Sequence, residues 1–81
     1  MNYNDAINLV KIDYGLQAND IIKSLSEDAI ITLGQLHNQN IKRQINSGTL
    51  VRLSAMEPRK QAGYLANPLL EFMAGLTARS A

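Results

Sequence analysis

Apolar residues recur with a helical period over the first fifteen positions of the chain. They fall on one side of a helix drawn at about 100° per residue and comprise Tyr3, Ala6, Ile7, Val10 and Tyr14. Asn4 is a candidate N-cap and Gly15 a candidate C-terminal stop, so the pattern predicts a helix over residues 4–14. Leu9 and Ile12 lie off this stripe as a second apolar strip, which indicates either burial under neighbouring loops or an oligomer contact.

A second helix start lies in the stretch "SLSED". Ser24 and Glu27 have the spacing of a capping box, and Ser26 is an alternative cap. The apolar positions that follow predict an inward helix face made of Ala29, Ile30, Leu33 and Leu36.

Two interpretations of the next residues stay open. In the first, the helix breaks at Gly34, and a new helix over residues 38–47 ends at Gly48. In the second, one helix spans residues 26–47, because a glycine costs only about 1 kcal/mol inside a helix.

Beyond Gly48 the pattern changes from a helical to an alternating period. "TLVRL" predicts a strand over residues 49–53, "SAMEPRKQ" a loop, and "AGYL" a returning strand over residues 62–65. Asn67 followed by Pro68 predicts the start of a last helix. The apolar face of that helix would consist of Leu69, Phe72, Met73 and Leu76.

The composition indicates one small globular domain. A hydrophobic fraction of 46% in 81 residues is ordinary for a folded chain and too high for a disordered one. The chain has no cysteine and His37 is its only histidine, which excludes disulfides, thiolate metal sites and two-histidine zinc sites. No apolar run approaches the roughly 20 residues of a membrane span, and "MNYNDAINLV" is unlike a signal peptide. We therefore expect a cytoplasmic protein that has no cofactor and no membrane contact and is not an enzyme.

The charges are unevenly distributed although the net charge is only +1. Residues 1–30 contain five acidic and two basic side chains, whereas residues 31–60 contain five basic side chains and one acid. A basic middle third behind an acidic front indicates a surface for an anion.

The order of predicted elements resembles the winged helix-turn-helix of the excisionase and mercury-resistance-regulator superfamily, which phage terminase small subunits share. The likeness covers roughly residues 24–77. It rests on Ala29, the Leu33–Gly34 pair, Ile41, Ile45, "SGTL" at 47–50 and "NPLLEFMAGL" at 67–76. The resemblance implies a mainly α fold in which residues 1–15 add an N-terminal helix to a helix-turn-helix, a wing and a closing helix.

The resemblance also implies a small DNA-binding protein of phage or plasmid type, either an excisionase-like factor or a transcriptional regulator. With Ile41 and Ile45 turned inward, the helix over 38–47 would expose amide and guanidinium groups, which pair with base edges in the major groove. The candidate DNA-contacting residues are Gln39, Asn40, Lys42, Arg43 and Asn46 on this helix and Arg52, Arg59 and Lys60 on the wing. The alternative is that these side chains form an ordinary solvated face.

One such domain reads few base pairs, so a homodimer or higher homo-oligomer is expected, with Leu9 and Ile12 as the contact. His37 is either a phosphate or base contact or a capping, half-buried histidine. The rival hypothesis for the whole chain is a helical protein-interaction module, for example a phage-encoded inhibitor of a host protein.

Overall fold

The computed structural model describes residues 1–67, and every regular element within them is helical. The elements are α1 (Tyr3–Tyr14), a short 3-10 helix (Gly15–Gln17), α2 (Ala18–Ser24), α3 (Glu27–Asn38), α4 (Ser47–Ser54) and α5 (Pro58–Ala66). The prediction of a mainly α protein is confirmed. The last predicted helix, at 68–76, lies outside the described residues.

The first helix agrees with the sequence pattern and starts one residue earlier than predicted. Asn2, not Asn4, is the N-cap, because its side-chain oxygen accepts a hydrogen bond of 2.8 Å from the backbone N–H of Asp5. Gly15 ends α1 with a positive φ of 55°, a conformation that glycine adopts without strain. The 3-10 helix and α2 that follow were not predicted.

Helix α3 begins at the alternative cap and continues through its glycine. The Ser26 hydroxyl accepts from the backbone N–H of Ala29 at 3.2 Å, whereas Ser24 is the last residue of α2. The whole predicted inward face is buried. The predicted break at Gly34 is wrong. A Cβ there would lie 3.0 Å from the Cβ of Ala6 and 3.1 Å from its Cα, so this glycine permits α1 to pack closely on α3.

The end of α3 excludes both predicted versions of the next helix. Asn40 has a φ of 60°, and its N–H donates to the carbonyl of His37 at 2.9 Å. The N–H of Ile41 donates to the carbonyl of Leu36 at 2.8 Å. This pair of bonds around a left-handed residue is a Schellman motif, which stops the helix. A helix over 38–47 and a continuous helix over 26–47 are therefore both wrong.

Residues 41–46, called the extended segment below, lie outside any helix and lead into α4. The Asn46 side chain accepts from the backbone N–H of Thr49 at 2.8 Å, and Gly48 therefore lies in the first turn of α4 rather than at a helix end.

The predicted strands over residues 49–53 and 62–65 are wrong, and residues 1–67 contain no strand and hence no β-wing. The alternation in "TLVRL" is overridden by the Asn46 cap and by the three-residue spacing of Leu50 and Leu53, which suits a helix packed on the core. Pro58 at the first position of α5 starts the next helix, and only residues 55–57 of the predicted loop remain a turn.

Helix α3 lies at the centre of the described fold and packs against both α1 and α5. The largest fully buried side chains are Val10, Ile21, Ile30, Leu53 and Leu65, which come from all five α-helices. Among the described residues, none of the helices has the length and apolar character needed to cross a membrane.

Candidate nucleic-acid interface

The predicted DNA-contacting residues fall into two groups in the structure, and the first group does not lie on a helix. Gln39 and Asn40 form the turn after α3, and Lys42, Arg43 and Asn46 lie in the extended segment. The presumed recognition helix is thus replaced by a turn and an irregular segment.

Two members of this first group have roles within the fold. The Arg43 guanidinium is half-buried, and its Nε–H donates to the carbonyl of Leu65 at 2.7 Å. The Asn46 side-chain oxygen accepts from both the backbone N–H and the hydroxyl of Thr49, at 2.8 and 3.0 Å. Arg43 therefore holds the extended segment on α5, and Asn46 caps α4. Lys42 remains exposed, with its ammonium 5.5 Å from the centre of the Tyr14 ring.

The second group of cations lies on α4 and α5, where Arg52, Arg59 and Lys60 are all exposed. Helix α4 has eight residues and α5 has nine, and the turn Ala55–Glu57 connects them. A turn of three or four residues is the connection length found between the two helices of a helix-turn-helix. Below, the three cations are called the α4–α5 basic surface.

A buried glutamine joins α5 to α4 and to α3. The Gln61 side chain donates to the carbonyl of Leu53 at 2.8 Å and accepts from the backbone N–H of Ser26 at 2.9 Å. These two bonds fix the first turn of α5 to the end of α4 and to the start of α3. The residues next to the bonded pair, Lys60 and Arg52, are therefore at the same helix junction.

Gln61 was missed by the sequence analysis, which placed it in a loop. Gln61 lies four residues before Leu65, which puts the two side chains on one face of a helix. A predicted helix over "PRKQAGYL" would therefore have placed Gln61 on the inward face.

Within residues 1–67, the α4–α5 basic surface has a weak ion pair with an acidic side chain. The Arg59 Nε lies 3.7 Å from an oxygen of Glu57, and these side chains are 86% and 60% exposed. An ion pair so exposed contributes little to stability. The guanidinium of Arg59 is thus available to an anionic ligand.

His37 has its partner within the fold. Its Nδ1 lies 2.9 Å from both carboxylate oxygens of Asp13, and the two side chains are 31% and 17% exposed. The pair connects the end of α1 to the end of α3. Of the two hypotheses for His37, the structure agrees with the half-buried histidine.

The predicted oligomer contact is partly on the surface. Ile12 is 71% exposed and Leu9 is half-buried, so burial of the whole strip under loops is not what the structure shows. Leu16, four residues after Ile12, is fully exposed and extends the strip into the 3-10 helix.

Comparison with known proteins finds no family model, no curated protein and no solved structure that matches this chain.

Proposed function

We propose that this chain is a small protein that binds duplex DNA through α4 and α5. In this proposal α5 is the recognition helix, and its first turn enters the major groove while α4 lies across the phosphate backbone. In helix-turn-helix proteins the N-terminal residues of the second helix contact the base edges. Arg59 and Lys60 occupy that position in α5, and both are exposed.

The observation that carries the proposal is the α4–α5 basic surface at the junction that Gln61 fixes. Arginine pairs with guanine through two hydrogen bonds, so Arg59 is the candidate base contact. Arg52 and Lys60 suit the phosphate contacts that set the register of a helix on DNA. In the sequence, most of the acidic residues precede residue 29 and none lies between residues 29 and 56, so α4 itself contains no acidic side chain.

This proposal keeps only part of the resemblance to the excisionase and mercury-resistance-regulator superfamily. The helix-turn-helix is moved to residues 47–66, and the wing is not retained, because its residues form α4 and α5. An excisionase-like or transcription-regulating role, of phage or plasmid type, remains the proposed biological setting, and the cytoplasm the proposed compartment.

The test is duplex binding by the wild type and by the double variant Arg59→Ala/Lys60→Ala. Two phosphate contacts per protomer, from Arg52 and Lys60, imply a slope of log K against log salt of about −1.8 for one protomer. The double variant is expected to lower affinity at least tenfold and to reduce the slope to about −0.9, since one contact remains. The measurement is fluorescence anisotropy on a mixed-sequence duplex between 20 and 200 mM salt.

The matched control is Lys11→Ala/Lys23→Ala, which removes the same net charge from exposed positions on α1 and α2. This control is expected to bind DNA within about twofold of the wild type, because it leaves the proposed contacts in place. The proposal would be overturned if both double variants lost the same amount of DNA affinity, or if the wild type showed no salt-dependent binding.

A homodimer is proposed as the binding form, with Leu9, Ile12 and Leu16 as its contact. Two copies double the phosphate contacts and read two half-sites. Ile12→Glu/Leu16→Glu should therefore produce a monomer in sedimentation velocity and weaken DNA binding. Its control is Asn4→Glu/Gln35→Glu, which introduces the same two charges at exposed positions of α1 and α3, outside both the strip and the α4–α5 basic surface. A wild type that sediments as a monomer up to 100 µM would refute the dimer.

The second candidate function is a module that binds another protein through this same strip. It is favoured by the 71% and 100% exposure of Ile12 and Leu16, which are unusual for isoleucine and leucine in a small domain. A monomeric protein that does not bind DNA would favour this second candidate.

A further inference from the structure

The extended segment lies outside any helix and is paired with no strand within residues 1–67. Its side chains alternate, since Arg43 and Ile45 are the more buried residues and Lys42, Gln44 and Asn46 are exposed. This period of two is the pattern of a strand with one face on the core.

The hydrogen bonds of the segment show the same alternation. Its odd-numbered residues use their backbone groups on the body of the protein. The N–H of Ile41 donates to Leu36, the carbonyl of Arg43 accepts from the Tyr14 hydroxyl at 2.8 Å, and the carbonyl of Ile45 accepts from the Gln17 amide.

The even-numbered residues of the segment present the opposite edge. Within the described part of the chain, no hydrogen bond reaches the backbone N–H or carbonyl of Lys42 or Gln44. In an extended chain the N–H and carbonyl of one residue point to the same edge, and those of its neighbours to the other. Lys42 and Gln44 therefore offer two donors and two acceptors along one free edge.

We propose that this edge, at Lys42 and Gln44, binds an extended acidic peptide that adds to it as a β-strand. Such β-augmentation draws its affinity from main-chain hydrogen bonds and its selectivity from the neighbouring side chains. The proposal does not depend on DNA binding by α4 and α5.

The charges on and around the segment favour an acidic peptide as the ligand of this edge. Lys42 is the exposed cation of the segment, whereas Arg43 is turned to the Leu65 carbonyl, and no acidic side chain occurs between residues 29 and 56. Within residues 1–67, Asp13 is the acid that lines the adjoining cleft of about 380 Å³, and both of its oxygens lie 2.9 Å from the His37 Nδ1. A second copy of the segment would bring like charges together, whereas an acidic strand is attracted.

The free edge is tested with a fluorescein-labelled peptide of alternating glutamate and valine. Gln44→Pro removes one edge donor, and an extended position tolerates proline and its effect on the preceding residue. This variant is expected to bind at least tenfold more weakly than the wild type, whereas Gln44→Ala, which keeps the N–H, stays within twofold. Lys42→Glu is expected to weaken binding at least tenfold by charge reversal.

Circular dichroism checks whether Gln44→Pro is folded. Two peptide controls on the wild type make the test independent of that variant. The same peptide N-methylated at its three central amides should not bind the wild type, and a lysine–valine peptide should bind at least tenfold more weakly. Absence of binding by the acidic peptide, equal binding by the N-methylated peptide, or equal effects of Gln44→Pro and Gln44→Ala would overturn the proposal. Concentration-dependent protection of the Lys42 and Gln44 amides from hydrogen exchange without peptide would also overturn it, since the occupant would then be a second copy.

Discussion

At the scale of single residues, two helical glycines have opposite environments. A Cβ at Gly34 would come within 2.5 Å of the Met1 sulfur and 3.0 Å of the Ala6 Cβ, whereas a Cβ at Gly63 meets nothing within 4 Å. The Met1 side chain has room to move, but Ala6 belongs to α1 and lies in the core. The glycine in α3 is therefore required by packing, and the glycine in α5 is not.

This contrast predicts that alanine substitutions at the two glycines change the free energy of unfolding in opposite directions. Gly34→Ala should lower the free energy of unfolding by about 1 kcal/mol, because an overpacking cost of about 1–3 kcal/mol exceeds the gain in helix propensity of about 1 kcal/mol. Gly63→Ala should raise it by about 0.5–1 kcal/mol, since only the propensity changes. Urea denaturation measures both, and a stabilising Gly34→Ala would show that α1 and α3 are not in close contact.

At the scale of elements, short polar side chains decide where helices begin. Asn2, Ser26 and Asn46 each accept a hydrogen bond from the backbone N–H three residues later. Asn46 matters most for the proposed interface, because it starts the eight-residue α4 from an extended segment.

The cap at Asn46 can be separated from any DNA contact. Asn46→Ala should lower the free energy of unfolding by about 1 kcal/mol, and Asn46→Asp should nearly preserve it because aspartate is an equally good cap. The measurement is again urea denaturation. If Asn46→Ala leaves stability unchanged, the α4 start described above is wrong, and the role of Asn46 as a DNA contact would be reopened.

At the scale of the whole molecule, one buried amide links three helices. Gln61 is only 4% exposed, and its two hydrogen bonds satisfy the N–H of Ser26 and the carbonyl of Leu53. This arrangement connects α3, α4 and α5 and fixes the α4–α5 basic surface on the fold.

Removal of this amide should affect stability and interface together. Gln61→Leu is expected to lower the free energy of unfolding by about 2–3 kcal/mol, because it leaves the buried Leu53 carbonyl and the partly buried Ser26 N–H without partners. Gln35→Ala, at an exposed glutamine of α3, should change it by less than about 0.5 kcal/mol. Thermal unfolding compares the two, and equal melting temperatures would mean that Gln61 does not hold the three helices.

What the sequence by itself determined is the helical class, the first helix with its stop at Gly15, and the inward face that follows Ser26. These features depend on caps and periodicity within a few residues, which act locally wherever the chain lies. The sequence also identified Arg52, Arg59 and Lys60 as surface cations, although it assigned them to a wing.

What only the tertiary structure decided is the path of the chain from residue 39 onward. Arg43 is held by Tyr14 and Leu65, which lie 29 and 22 positions away, and these contacts turned a predicted recognition helix into an extended segment. Burial of Leu53, Gln61 and Leu65 likewise made helices of two predicted strands. The physical reason is that short segments have weak intrinsic preferences, so distant partners in the core determine their conformation.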